Sequence, residues 1–186
     1  MAKSLSVDKT SPAIEQGISA LENKVILAKI TDFFSLFPAI YALTSNTENV
    51  SVATEAVLED FLGSIDGKPP QCTYLELRTT PRSTDAMTKR EYLMAVLKAM
   101  NKYTPDQCNL IVSVDWRMSA EQAMEIVELA VDLFKAGERI VGVDLCGDFQ
   151  VNTFGDTQSP LLSLRRMLRL RTQSRLLNEL AMQGYR

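Results

Sequence analysis

The nine residues Tyr74-Leu75-Glu76-Leu77-Arg78-Thr79-Thr80-Pro81-Arg82 run an apolar strand pattern straight into two arginines, two threonine hydroxyls and a proline. That layout puts positive charge and hydrogen-bond donors at the carboxyl end of a buried strand, where ligands bind in parallel α/β folds. Two further apolar runs end in the same way. Asn109 to Val114 leads into Asp115, Trp116 and Arg117, and Ile140 to Leu145 leads into Gly147 and Asp148. In a parallel sheet these ends share one rim with Arg78, Thr79, Thr80, Pro81, Arg82 and Ser83. Guanidinium forks, hydroxyls, a carboxylate and a glycine open to close backbone approach suit a planar, polar ligand with an anionic group.

Each of these residues also has a plainer reading. Arg78 alternates outward with Glu76, which equally fits a surface ion pair. Asp115 and Asp148 fit loop or helix caps, and Gly147 fits a turn. Cys72, Cys108 and Cys146 read as small core fillers. The aromatic set Phe33, Phe34 and Phe37 reads as core.

The sequence contains no histidine among its 186 residues. This excludes histidine general acid–base catalysis, Ser/His or Cys/His nucleophile pairs, and any metal site with a histidine ligand. Three dispersed cysteines do not form a zinc cluster. No catalytic residue and no metal ligand is therefore assigned. The odd, scattered cysteines fit a reduced, cytoplasmic setting. No apolar run approaches the roughly 20 residues of a membrane helix, and the polar stretch Met1 to Pro12 lacks the apolar middle of a signal peptide. A net charge of −3 gives no whole-chain case for nucleic acid or an anionic membrane as partner.

The elements that would position the rim follow from periodicity. Ser11 with Pro12 starts a helix reaching about Ala28. Asp32 to Leu43 has helical spacing, kinked or split at Pro38. Val50 to Leu62 is amphipathic and ends at Gly63. Strands are predicted at Cys72 to Leu77, Asn109 to Val114 and Ile140 to Leu145, and their starts lie 37 and 31 residues apart. Helices over Thr88 to Lys102 and Ser119 to Lys135 separate them, the second opened by a capping box of Ser119 and Gln122. This is the βαβ signature of a parallel sheet, with β-branched strands of the kind covered on both faces. The expected organisation is a disordered leader over 1–10, an α/β domain over 11–148, and an arginine-rich tail over 149–186. The tail carries Arg165, Arg166, Arg169, Arg171, Arg175 and Arg186 against Asp156 and Glu179. Its leucines scatter around the helical wheel, so low order or an irregular helix is expected there.

The segment Tyr74 to Arg82, followed by Met87-Thr88-Lys89-Arg90, resembles the adenosine deaminase-like family, and within it the branch acting on N6-methyl-AMP. Val112-Ser113-Val114-Asp115-Trp116-Arg117 is similar to the family's next motif, and Val141-Gly142-Val143-Asp144-Leu145-Cys146-Gly147-Asp148 to the one after it. Asp32-Phe33-Phe34-Ser35-Leu36-Phe37 and Val57-Leu58-Glu59-Asp60-Phe61 also match, so the resemblance covers about residues 30–148. It implies part of an eight-stranded (β/α) TIM-type barrel that, with zinc, hydrolytically removes the 6-amino or 6-alkylamino group of a purine. It also implies that Thr80, Pro81, Arg82 and Ser83 hold the nucleotide. Asp115 would be a further substrate contact, and the Gly147 backbone would meet the purine ring. Tyr41 falls where relatives often have a histidine facing the substrate.

The departures from the family are as informative. No strand bearing His-x-His precedes Ile30, and the later zinc-binding, general-acid and catalytic motifs are absent, which leaves about three of eight strands. An open three-stranded sheet has two unpaired edges and a poorly covered face. The expectation is a truncated or frame-altered relative that is inactive alone, binds no zinc, and binds purine nucleotide weakly or not at all. Two alternatives stay open: a nonenzymatic nucleotide-binding or interaction module, and a half-barrel completed by another chain.

Overall fold

The computed structural model describes residues 11–23, 25–64, 67–115 and 117–147. Asp148, Trp116, the leader over 1–10 and the tail over 149–186 lie outside them. The elements run in the order α1 (Pro12–Glu22), α2 (Ile30–Phe34), α3 (Phe37–Leu43), α4 (Thr47–Leu62), β1 (Leu75–Thr79), α5 (Lys89–Met100), β2 (Cys108–Asp115), α6 (Ala120–Lys135) and β3 (Ile140–Cys146). The chain divides into two compact units, Met1–Leu75 with Pro81–Cys108 and Glu76–Thr80 with Asn109–Arg186.

The first unit is helical. Pro12 opens α1, as read from Ser11-Pro12, but the helix stops at Glu22 with Asn23 as its cap. The α1 and α3 backbones approach closely at Gly17, where an added Cβ would lie 2.6 Å from the Ala39 Cβ. Ile18, Ala39 and Leu43 form the small core of this contact, with Ile14 and Leu21 packed against it. Asn46 accepts the Asn49 N–H at 2.9 Å and so starts α4 at Thr47, three residues before the apolar pattern begins. Thr88 and Glu91 form a reciprocal capping box that opens α5. Helices α4 and α5 pack together, burying Val50, Leu58 and Leu62 on one and Leu93, Val96, Leu97 and Met100 on the other. At the rim of that contact Lys102 pairs with Glu55 at 2.7 Å.

The aromatic run is not core. The expected helix breaks at Ser35-Leu36, and Pro38 sits in the first turn of α3. The break denies the aromatic residues one continuous buried stripe. Helix α2 has no buried residue, and Phe33 is 41% exposed. The rings shelter one another instead, with centroid separations of 5.7 Å for Phe33–Phe34, 5.4 Å for Phe33–Phe37 and 5.9 Å for Phe34–Phe37.

The second unit holds most of the sheet, three parallel strands in the order β1-β2-β3 with β2 central. Strands β2 and β3 pair from Leu110 opposite Ile140 to Asp115 opposite Cys146, with an irregularity between Leu110 and Ile111 that leaves Val141 unmatched. Ser119 and Gln122 form the capping box read from the sequence, and α6 packs against β3. The strand and helix pattern is thus the α/β arrangement that the spacing predicts. Coverage on both faces holds only in part for β2, with Leu110, Val112 and Val114 buried on one face and Ser113 alone on the other, beside the half-buried Ile111 and Asp115. It fails for its neighbours. Strand β1 alternates half-buried and exposed residues, while Val141 and Val143 on β3 are 49% and 42% exposed. Strand β1 also runs later than its pattern suggests, so that Arg78 and Thr79 lie inside it.

Candidate ligand-binding rim

In the second unit the ends of three strands bring Thr80, Asp115 and Gly147 to one edge of the sheet. Strand side chains repeat every two residues, so Arg78 and Thr80 share a face, as do Ser113 with Asp115 and Asp144 with Cys146. The register pairs Ser113 with Asp144 and Asp115 with Cys146. Two rungs cross this face from β1 to β3. Arg78 Nη1 donates to Asp144 Oδ2 at 2.8 Å, and one level nearer the rim Thr80 Oγ1 meets Cys146 Sγ at 3.3 Å.

Asp115 ends β2 and turns the chain. Its Oδ1 accepts the Arg117 backbone N–H and Nε, each at 2.9 Å, and its Oδ2 accepts Arg117 Nη2 at 2.6 Å. Burial, the largest single influence, pushes the Asp115 pKa up. The hydrogen bonds and charge of Arg117 together outweigh it and hold the carboxyl below its ordinary value. The plain reading of Asp115 as a loop cap therefore describes its contacts. Gly147 follows β3 with φ of 130°, a backbone conformation closed to most L-residues, and so leaves its peptide bare of any Cβ.

The other three residues read as substrate-holding lie in the first unit. Pro81 is among the fully buried side chains, so its ring packs in the interior and offers no surface. Ser83 is exposed. Arg82 Nη2 donates to the Tyr41 carbonyl at 3.1 Å, to the Thr44 carbonyl at 2.6 Å, and to Thr44 Oγ1. Its guanidinium lies 4.7 Å from the Tyr41 ring centroid and 5.5 Å from that of Tyr92. Burial lowers its pKa, an effect that Tyr92 and Tyr41 partly offset. Beside it Thr84 Oγ1 donates to the Ser45 carbonyl at 2.7 Å. The segment after β1 is thereby pinned to the C-terminal end of α3.

Arg78 makes its ion pair with Asp144, an interaction that strand alternation did not suggest. Asp144 and Ser113 went unnoticed because both sit inside apolar strand runs. A single carboxylate within Ile140 to Leu145 was the available signal, since a charge inside a sheet needs a partner.

No family model matches the chain. It is 33% identical over 145 residues to the adenosine deaminase-like protein of Caenorhabditis elegans, covering 76% of this chain and 33% of that one. It is 32% identical over 144 residues to the N6-methyl-AMP deaminase of Homo sapiens, covering 74% and 39%. With N6-methyl-AMP deaminase-L of Xenopus laevis it shares 30% over 169 residues, covering 88% and 47%. The fold matches the crystal structure of Arabidopsis ADAL complexed with IMP at a TM-score of 0.60 and 28% identity, over 87% of this chain and 51% of that one. The apo N6-methyl-AMP deaminase of Arabidopsis thaliana matches at 0.58 and 29%, over 82% and 48%. The chain thus spans about a third to a half of the length of the proteins it matches. Sequence and backbone agree on the same kin, and the chain is a relative of the adenosine deaminase-like and N6-methyl-AMP deaminase proteins along that part of their length.

Proposed function

We propose that this chain carries the substrate-holding part of a purine nucleotide deaminase site, with Thr80, Asp115 and the Gly147 backbone meeting a purine nucleoside monophosphate. The observation that carries this reading is the placement of those three residues on adjacent strand ends of one parallel sheet. In open α/β sheets that edge is where ligands bind. Kinship supports the choice of ligand, since solved relatives are complexes with IMP and GMP.

The zinc that the resemblance implies does not fit the residues present. The sequence has no histidine. Among the described residues no three His, Cys, Asp or Glu side chains come together. Among the described residues the carboxylates nearest the rim, Asp115 and Asp144, are engaged by Arg117 and Arg78. Without a metal-activated water the hydrolytic step has no nucleophile here, so the chain by itself holds substrate and does not turn it over. The unbridged thiols of Cys72 and Cys146 accord with a reducing, cytoplasmic setting.

Calorimetric titration with AMP, N6-methyl-AMP and IMP tests the reading, alongside an assay for ammonia or methylamine release with added zinc. Saturable binding of at least one nucleotide without turnover is expected. No heat up to millimolar nucleotide would remove the binding reading, and zinc-dependent release would overturn the inactive one. The exposed Val141 and Val143 on β3 favour one second reading, a half-barrel completed by another chain. A rise in mass and a gain of turnover on mixing with the missing half would establish it.

A further inference from the structure

Strands β1 and β3 are not neighbours, yet they are joined across β2 by side chains. Adjacent strands lie about 4.8 Å apart, so a contact that skips one strand spans roughly 10 Å. A long basic side chain is able to make this crossing, and Arg78 makes it through one nitrogen, Nη1. Arg78 Nη1 reaches Asp144 Oδ2 at 2.8 Å, which takes the side chain over β2 at the level of Ser113, the cross-strand partner of Asp144. Ser113 is 1% exposed, and its small side chain leaves room for the crossing.

This rung has the marks of something other than a stabilising contact. The pair is partly open, with side-chain exposures of 57% for Arg78 and 31% for Asp144, and such pairs add little to stability. The same level holds the two buried side-chain atoms that lack partners among the described residues, Ser113 Oγ and Asp144 Oδ1, and unpartnered buried polar atoms cost stability. Two residues further along each strand, still on the same face, stand Thr80 and Cys146 in contact at 3.3 Å. Gly147 follows Cys146 directly.

We propose that Arg78 and Asp144 are positioning residues whose ion pair fixes β1 against β3 across Ser113 and thereby sets the spacing of Thr80 and Gly147 at the rim. The role of that spacing in nucleotide binding rests on the function proposed above, whereas the spacing itself does not.

The test uses the full chain and two readouts. The first needs no nucleotide: the alkylation rate of Cys146, followed by peptide mass spectrometry that separates it from Cys72 and Cys108, at a temperature well below each variant's unfolding midpoint. Loss of the clamp frees the Thr80–Cys146 contact. Arg78→Gln and Asp144→Asn are each expected to speed Cys146 alkylation at least threefold, with Cys72 and Cys108 unchanged. Arg78→Lys keeps the charge and should stay near the parent rate. The double variant should be no faster than either single variant, because both remove one interaction. Unchanged Cys146 rates in the folded variants, or additive effects in the double variant, would overturn the proposal. Should Arg78→Gln fail to fold, Asp144→Asn with Arg78→Lys still decides it.

The second readout is IMP affinity, expected to weaken about tenfold in Arg78→Gln and to be retained in Arg78→Lys. Parent chain that binds no nucleotide sinks the proposed function, while the alkylation rates continue to decide the clamp. Parent chain that binds IMP, with alkylation changed but affinity equal in all variants, would overturn the link from clamp to ligand.

Discussion

The Arg82 guanidinium lies 4.7 Å from the Tyr41 ring centroid and also donates to the Tyr41 backbone carbonyl at 3.1 Å. One side chain thus binds both the ring and the main chain of a residue in the last turn of α3, where carbonyls lack helical partners. Thr44, the cap of α3, adds its carbonyl at 2.6 Å. A cation placed there offsets the negative end of the helix dipole and ties the segment after β1 to α3.

Arg82→Ala is therefore expected to destabilise the chain by about 2–3 kcal/mol, the scale for losing charge-assisted hydrogen bonds to partly buried acceptors. Arg82→Lys should recover less than half of that, because a compact, strongly hydrated ammonium cannot donate to the Tyr41 and Thr44 oxygens and also lay a planar cation on two rings. Urea unfolding of the three proteins measures this. A loss below about 0.5 kcal/mol for the alanine variant would show that water replaces the guanidinium without cost.

Local rules legible in the sequence placed much of the frame. Ser119 and Gln122 gave the start of α6, and β-branched runs spaced by helical patterns gave three parallel strands. What escaped was set by partners distant in sequence. Arg78 reads outward by alternation, and only the third strand, 66 residues away, supplies Asp144 as its partner. The Phe33 cluster has core-like composition, but whether a ring is buried depends on what lies opposite it, which spacing does not encode. The start of β1 slipped because Cys72 to Leu77 is equally apolar on either side of the true boundary, whereas pairing begins where Leu75 N–H finds the Gln107 carbonyl at 2.9 Å. At the rim, the residue types of Thr80, Asp115 and Gly147 were legible, but the engagement of Asp115 by Arg117 was not.

Acid should weaken the turn after β2. The Asp115 carboxyl is held below its ordinary value of about 3.9, so the stability it contributes is complete above that pH and is lost as pH falls through the lower folded value. Arg117→Gln removes the opposing charge and its side-chain hydrogen bonds, so that only the backbone N–H of residue 117 still opposes burial at Asp115. The variant is expected to be less stable than the parent at pH 7, by under about 1 kcal/mol because the pair is part-exposed, with the gap closing as pH falls through the lowered folded value of the parent. Thermal unfolding midpoints of both proteins from pH 2 to pH 7 check this. A gap that widens in acid would reverse the assignment.

Gly147→Ala places a Cβ on a backbone with φ of 130°. The strain of such a conformation is about 1–3 kcal/mol, and the chain must absorb it or re-route the end of β3. Chemical unfolding should show a loss in that range, and IMP affinity should fall together with it if the bare peptide faces the ligand. Full stability with full affinity would mean that the turn relaxes freely and that the glycine carries neither role.

Ser113→Ala isolates the unpartnered hydroxyl at the centre of the sheet. Ser113 is 1% exposed and its Oγ has no hydrogen-bond partner among the described residues, so the hydroxyl contributes its desolvation cost without a bond to offset it. Alanine keeps the small volume that lets Arg78 cross to Asp144. The variant is expected to be as stable as the parent or more stable by up to about 1 kcal/mol, with the alkylation rate of Cys146 unchanged. Ser113→Leu fills the crossing instead, and should both destabilise the chain by about 1–3 kcal/mol through overpacking and speed Cys146 alkylation by displacing Arg78. A clear loss of stability in the alanine variant would show that the hydroxyl is satisfied by an ordered water shared with Asp144 Oδ1, and the polar layer would then be a hydrated site rather than a dry one.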